Sequence, residues 1–121
     1  MIYILCLYNN QTNHVYKKMQ EIEFSKLIEQ VFSLIIDTIE NQDEDGLIDI
    51  DFHGDILNLI TDKGVFVINK HSAIQEIWLA SAVSGAYHFQ YIDNQWKSKA
   101  NLELFLILES ELSIKFDYTA I

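Results

Sequence analysis

The chain has 121 residues, half of them hydrophobic, with 18 acidic residues against 8 basic ones and a net charge of −10. Its size and apolar content fit one folded domain and argue against a disordered chain. The complete lack of arginine and the excess of acid argue against sequence-independent nucleic-acid binding. The single Cys6 leaves no internal disulfide and no multi-cysteine zinc or iron–sulfur site within the chain, and suits a reducing compartment.

Residues 1–8 are apolar but have no basic flank, and they fall well short of the ~20 residues a membrane helix needs. No membrane span is expected. Residues 9–14 are polar and turn-like. Two readings of this start stand side by side. In one, Met19 is the functional start, residues 1–18 are an extension outside the fold, and the domain occupies residues 19–121. In the other, residues 2–8 add an edge strand.

Phe24, Leu27, Ile28, Val31, Leu34, Ile35 and Ile39 recur at helical spacing, with Glu29, Ser33, Asp37, Glu40 and Glu44 on the opposite side. The spacing predicts an amphipathic helix over residues 20–42, with Gly46 just past its end. The period then changes to two. Ile48, Ile50 and Phe52 alternate with Asp49, Asp51 and His53, as in a half-buried strand. Further strands are predicted over residues 56–61, 65–69, 76–80 and 87–92, with a short one at Trp96 and a loop over residues 81–86. Short turns between successive strands mean an antiparallel meander. Leu102, Phe105, Leu106 and Leu108 predict a second helix over residues 101–111, against which Ile114 and Phe116 can pack. A sheet with one apolar face needs a cover. The expected fold is therefore α+β: a two-layer sandwich with two helices on one face of an antiparallel five- to six-stranded sheet.

Charge is concentrated in one region. Residues 21–62 hold 12 of the 18 acidic residues against Lys26 alone. Asp37, Glu40 and Glu44 fall at positions that share one helix face, and Asp49 and Asp51 share one strand face opposite the core. If the strand lies beside the helix end, these rows, with Asp43 and Asp45 between them, form one anionic ridge. Carboxylate-only donors are hard and suit Fe²⁺, Fe³⁺, Mn²⁺, Mg²⁺ or Ca²⁺ better than Zn²⁺ or Cu⁺. A merely solubilising face fits the same pattern. Residues 41–52 also follow the spacing of an EF-hand calcium loop, but Phe52 replaces the glutamate needed at its last position and a strand pattern follows where a helix should start. His14, His53, His71 and His88 are scattered, and neither a phosphate-binding glycine loop nor an HExxH motif is present. His53 shares the face of Asp49 and Asp51.

Val67-Ile68-Asn69-Lys70, Ile77-Trp78-Leu79, Ser84-Gly85 and the aromatic run over residues 87–89 form a second, more specific pattern. Together with the acidic helix end and first strand, it resembles the frataxin family in its bacterial form, over about residues 23–109. The resemblance implies a two-helix sandwich on an antiparallel sheet. It also implies a monomeric protein of the bacterial cytoplasm, ahead of a mitochondrial matrix, that binds iron weakly through an acidic ridge. Such a protein regulates iron–sulfur cluster assembly on a cysteine desulfurase and its scaffold protein. On this chain the implied ridge is Asp37, Glu40, Asp43, Asp45, Asp49 and Asp51, with Glu44 as an additional acid. Partner contact is implied for Asn69, Trp78, Glu40, Asp43 and Asp45. Ferroxidase chemistry and a calcium-type binding module are the alternatives. The chain departs from the family pattern at Ile36, Asn41 and Leu47, where acids are common, at His71 and Glu76, where glutamines are common, and at Ala82 and Ala86, where prolines are usual. His88 stands where some relatives carry a cation.

Overall fold

The computed structural model describes residues 18–117. The expectations for residues 1–17, including the alternative edge strand and Cys6, therefore lie outside the described residues.

Helix α1 (Glu21–Gln42) runs without glycine or proline and buries one stripe: Phe24, Ile28, Val31, Phe32, Leu34, Ile35, Thr38 and Ile39. Its start has no side-chain cap, but Glu21 and Glu23 sit in the first turn, where the helix dipole favours negative charge. The entry is held from outside. Met19 N–H donates to Gln75 Oε1 at 2.9 Å and Gln75 Nε2 donates back to Met19 O at 2.7 Å. At the other end Asp43 leaves helical geometry, at φ −88° and ψ 68°, and Gly46 takes a positive φ of 66° that a side chain would strain.

Six strands follow: β1 (Asp49–His53), β2 (Ile56–Thr61), β3 (Gly64–His71), β4 (Glu76–Ser81), β5 (Gly85–Ile92) and β6 (Gln95–Lys97). They pair antiparallel in sequence order, a meander with β1 at one edge and β6 at the other. Two-residue turns join β1 to β2, β2 to β3 and β5 to β6. Asp93 and Asn94, with φ of 53° and 63°, join β5 to β6 in the doubly left-handed backbone that suits the twist of a hairpin. Alternation sends Leu57, Leu59, Phe66, Ile68, Ile77, Leu79, Phe89 and Trp96 inward, all buried.

The helices cover this inward face. Helix α2 (Leu104–Leu112) begins three residues later than predicted, because Asn101 (φ 64°) and the turn from Ser98 to Leu102 hold the chain out of helical geometry. Glu103 caps it, accepting from Leu106 N–H at 3.1 Å. Phe24 meets Trp96 edge-on at 6.1 Å, tying α1 to β6, and Phe105 meets Phe116 at 5.0 Å, tying α2 to the chain's tail. Gln42 pins that tail to the end of α1. Its Nε2 donates to Lys115 O at 2.7 Å, and its Oε1 accepts from Lys115 N–H at 2.8 Å.

The predicted two-layer α+β sandwich is the observed fold, with six strands. Differences lie at element ends. The predicted loop over residues 81–86 shrinks to a short turn because Gly85 and Ala86 already pair with Ser81 and Ala80. β3 extends to His71 because Lys70 and His71 pair with Ile77 and Glu76. Phe52 is 47% exposed, since β1 is an edge strand and the ring is covered on one side only, by Phe32 at 5.2 Å.

Glu103 is the buried acid of this core boundary. Burial pushes its carboxyl above the usual range, against the backbone hydrogen bonds of Phe105 and Leu106, which pull it down. A carboxyl that holds its proton more tightly folded than unfolded stabilises most fully at acid pH, and loses that contribution as pH rises through the raised value. The variant Glu103→Gln has no such loss. Its stability relative to the parent is therefore expected to improve from acid to neutral pH in thermal unfolding. A difference between the two proteins that does not change with pH would contradict the assignment.

Candidate functional site

The carboxylates lie on α1, on the turn that follows it and on β1. The apolar stripe of α1 faces the sheet, so Asp37 and Glu40 face solvent. β1 returns alongside the helix, as the Phe32–Phe52 contact shows, and its alternation turns Asp49 and Asp51 to the outward face. Glu44 and Asp45 are exposed in the connecting turn. Glu44 therefore does not continue the helix face of Asp37 and Glu40, because the helix ends at Gln42. Asp37, Glu40, Glu44, Asp45 and Asp49 have no ion-pair partner among the described residues. Asp51 meets His53, whose Nε2 lies 2.7 Å from its Oδ1 on the exposed surface.

Asp43 does something different. Its Oδ1 accepts from Leu47 N–H at 2.9 Å and its Oδ2 accepts from Ile48 N–H at 2.8 Å. Both oxygens close the turn that leads into β1, which places Asp43 in the scaffold of the ridge. The same bonds account for the calcium-loop spacing. Carboxylate oxygens that such a loop would turn on a cation are turned here on the loop's own backbone, and β1 follows directly. Among the described residues no three acidic, histidine or cysteine side chains converge tightly enough to enclose a metal ion. The ridge is a charged surface and not a chelating cage.

Its charges are placed against helix stability. The last turn of α1 holds no basic residue, and Glu40 stands there against the negative end of the helix dipole.

The outward sheet face adjoins the ridge. Register carries one row of residues across five strands: His53, Ile56, Asn69, Trp78 and His88. Trp78 is half-buried, and its indole lies between two imidazoles. His88 stacks on it at 3.9 Å and 6°, and His71 lies at 3.8 Å and 30°. Trp78 Nε1 donates to Glu76 Oε1 at 2.8 Å, and Gln90 Nε2 donates to Glu76 Oε2 at 3.3 Å. His71 and His88 did not stand out in the sequence as partners of Trp78. The signal was present in the strand alternation, which puts all three on the outward face once the hairpin register is known.

The described residues contain no helix long and apolar enough to cross a membrane. Residues 17–118 match the model of the frataxin-like domain, and the chain belongs to that family. It is similar to proteins named iron-sulfur cluster assembly protein CyaY. It is 39% identical to that of Vibrio cholerae over 95 residues, which covers 77% of this chain and 88% of that protein. It is 38% identical to that of Pasteurella multocida over 92 residues, which covers 75% and 87%. Among solved structures, frataxin from Psychromonas ingrahamii shares the fold with a TM-score of 0.70 at 23% identity, over 83% of this chain and 98% of that one. Trimeric frataxin from the yeast Saccharomyces cerevisiae, complexed with ferrous iron, aligns with a TM-score of 0.63 at 26% identity, over 82% and 88%.

Neighbouring acids should separate by role. Asp43→Ala is expected to lower stability by about 1–2 kcal/mol in urea unfolding, as loss of a helix-terminal side-chain acceptor does. Glu40→Gln is expected to raise stability slightly at low ionic strength and not at high. Equal effects of the two substitutions would remove the distinction.

Proposed function

We propose that this protein is an iron-binding regulator of iron–sulfur cluster assembly that docks through its acidic ridge on the complex of a cysteine desulfurase and its scaffold protein. The observation that carries the reading is the set of exposed carboxylates on α1 and β1, of which only Asp51 meets a basic side chain among the described residues, in a chain that belongs to the frataxin-like family. A surface of one sign creates a field that steers an oppositely charged partner, raises the encounter rate and makes docking sensitive to salt. Asn69 and Trp78 supply the second contact. They lie in the same cross-strand row as His53 on the ridge strand, so a partner seated on the ridge border meets the sheet face next to it.

The ridge oxygens fit iron as hard donors. Asp37, Glu40, Glu44, Asp45, Asp49 and Asp51 are the residues that would hold it, one or two at a time with water completing the shell, because no three of them converge. Such a site exchanges its ion readily. It suits sensing or handing over iron and does not suit tight storage. Names support the direction: the bacterial relatives are called iron-sulfur cluster assembly proteins and the yeast structure is a ferrous complex. The reading is of a monomeric regulator in the bacterial cytoplasm, and it assigns no turnover to the chain itself.

The test is binding to the desulfurase–scaffold complex at two ionic strengths. Affinity is expected to fall at least about tenfold between about 50 mM and about 500 mM salt. The paired substitutions Glu40→Gln and Asp49→Asn are expected to weaken binding at low salt and to flatten its salt dependence, while Glu21→Gln, in the first turn at the other end of α1, changes it much less. Binding that is absent, or indifferent to salt, overturns the docking.

A further inference from the structure

Among the described residues one edge of the sheet is open on both flanks. In an antiparallel ladder each residue turns its N–H and C=O to the same neighbour, and successive residues alternate between neighbours. Ile92 and Gln95 close the two-residue turn at Asp93 and Asn94, so Ile92 and Gln90 face β6. By parity His88 and Ala86 face the same way. β6 stops at Lys97, opposite Gln90, while β5 pairs with β4 from Gly85 to Phe89 on its other side. Among the described residues no ladder or turn hydrogen bond meets the outward backbone of Ala86 and His88. The chain after β6 turns back on itself, Ser98 N–H donating to Leu102 O and Asn101 N–H to Ser98 O, each at 2.9 Å.

A slot remains between β5 and residues 98–102. Its sheet-face flank is a groove of 890 Å³ whose lining includes His88, Lys97 and Lys99. Its helix-side flank is a groove of 530 Å³ whose lining includes Tyr87, Leu102, Leu106 and Ile107. Tyr87, Lys97, Asn101 and Leu102 line both, so the two grooves are sides of one slot.

We propose that this slot receives an extended segment of another protein, acidic residues alternating with apolar ones, as an added strand beside β5. A strand sends successive side chains to opposite faces, and the exposed edge supplies main-chain hydrogen bonds. The apolar row meets Leu102 and Leu106, which are 45% and 58% exposed. The acidic row meets Lys97 and Lys99, the most closely spaced lysines of the described chain. The sheet-face groove holds one acid, Glu76, against Lys97 and Lys99, so its balance is positive, while Glu103 and Glu111 line the helix-side groove, which takes the apolar row. Glu76 accepts from Trp78 and Gln90, Glu103 from Leu106 N–H, and Glu111 from the hydroxyls of Ser81 and Ser84. The opposite edge of the sheet marks the contrast. β1 carries Asp49 and Asp51, charges of the kind that keep a second strand away, and residues 85–89 of β5 carry no acid.

The test is an NMR titration of the full chain with a synthetic heptapeptide alternating aspartate and valine. Saturable shifts are expected at the amides of Ala86 and His88 and at Leu102. Affinity is expected to fall about threefold or more in the doubly substituted Lys97→Ala, Lys99→Ala protein, and to be lost when every peptide amide is N-methylated. The proposal is overturned by no binding, by shifts confined to the ridge, or by undiminished binding of the N-methylated peptide. Equal binding of a lysine–valine heptapeptide also overturns it. Concentration-dependent shifts of the same amides without peptide would give the slot to a second copy of this chain, and overturn it as well.

Discussion

The apolar stripe of α1 lies against the inward face of the meander, with Phe24 on Trp96 at one end and Phe32 on Phe52 further along. That seam sets the rotation of the helix about its axis. Once Ile28, Ile35 and Ile39 are buried, Asp37 and Glu40 have no direction left but outward. The same constraint acts on β1 with a period of two. Ile50 packs toward the core, so Asp49 and Asp51 turn to the other face. The ridge is thus a by-product of hydrophobic packing in position, while its charge is a matter of which residues occupy those positions.

That charge does nothing for the fold. Carboxylates near the C-terminal end of α1 oppose the helix dipole, and no lysine stands in the last turn to answer them. On the edge strand Asp51 meets the His53 imidazole, and Asp49 has no ion-pair partner among the described residues. Asp43 is the exception that clarifies the rest: its two oxygens hold the turn together, so it is an acid the structure uses internally. The others face solvent, and Glu40 opposes the dipole at the end of α1.

Two further surfaces follow from the sheet's outward face. Across its middle, Trp78 lies between His71 and His88, and its indole N–H donates to Glu76. At its far border the short β6 leaves half of β5 without a ladder partner on one side among the described residues. The two edges of one sheet therefore differ in kind, the first guarded by carboxylates and the second lined by lysines and exposed leucines.

Much of this was legible in the residues. Period 3.6 in α1 and period 2 from residue 49 onward identified the helix, the meander and most of the buried stripe of α1, because side-chain direction repeats with backbone geometry whatever the surroundings. The density of acid between residues 21 and 62 located the ridge for the same reason. The motif around Asn69 and Trp78 marked the family. What periodicity leaves open is pairing between distant side chains and the fate of individual polar atoms. Only the folded chain decided that Asp43 closes a turn, that Glu44 leaves the helix face, that Gln75 grips Met19 and Gln42 grips Lys115, and that His71 and His88 enclose Trp78. Those contacts depend on register and on which chain ends meet in space, and neither quantity is carried by local pattern.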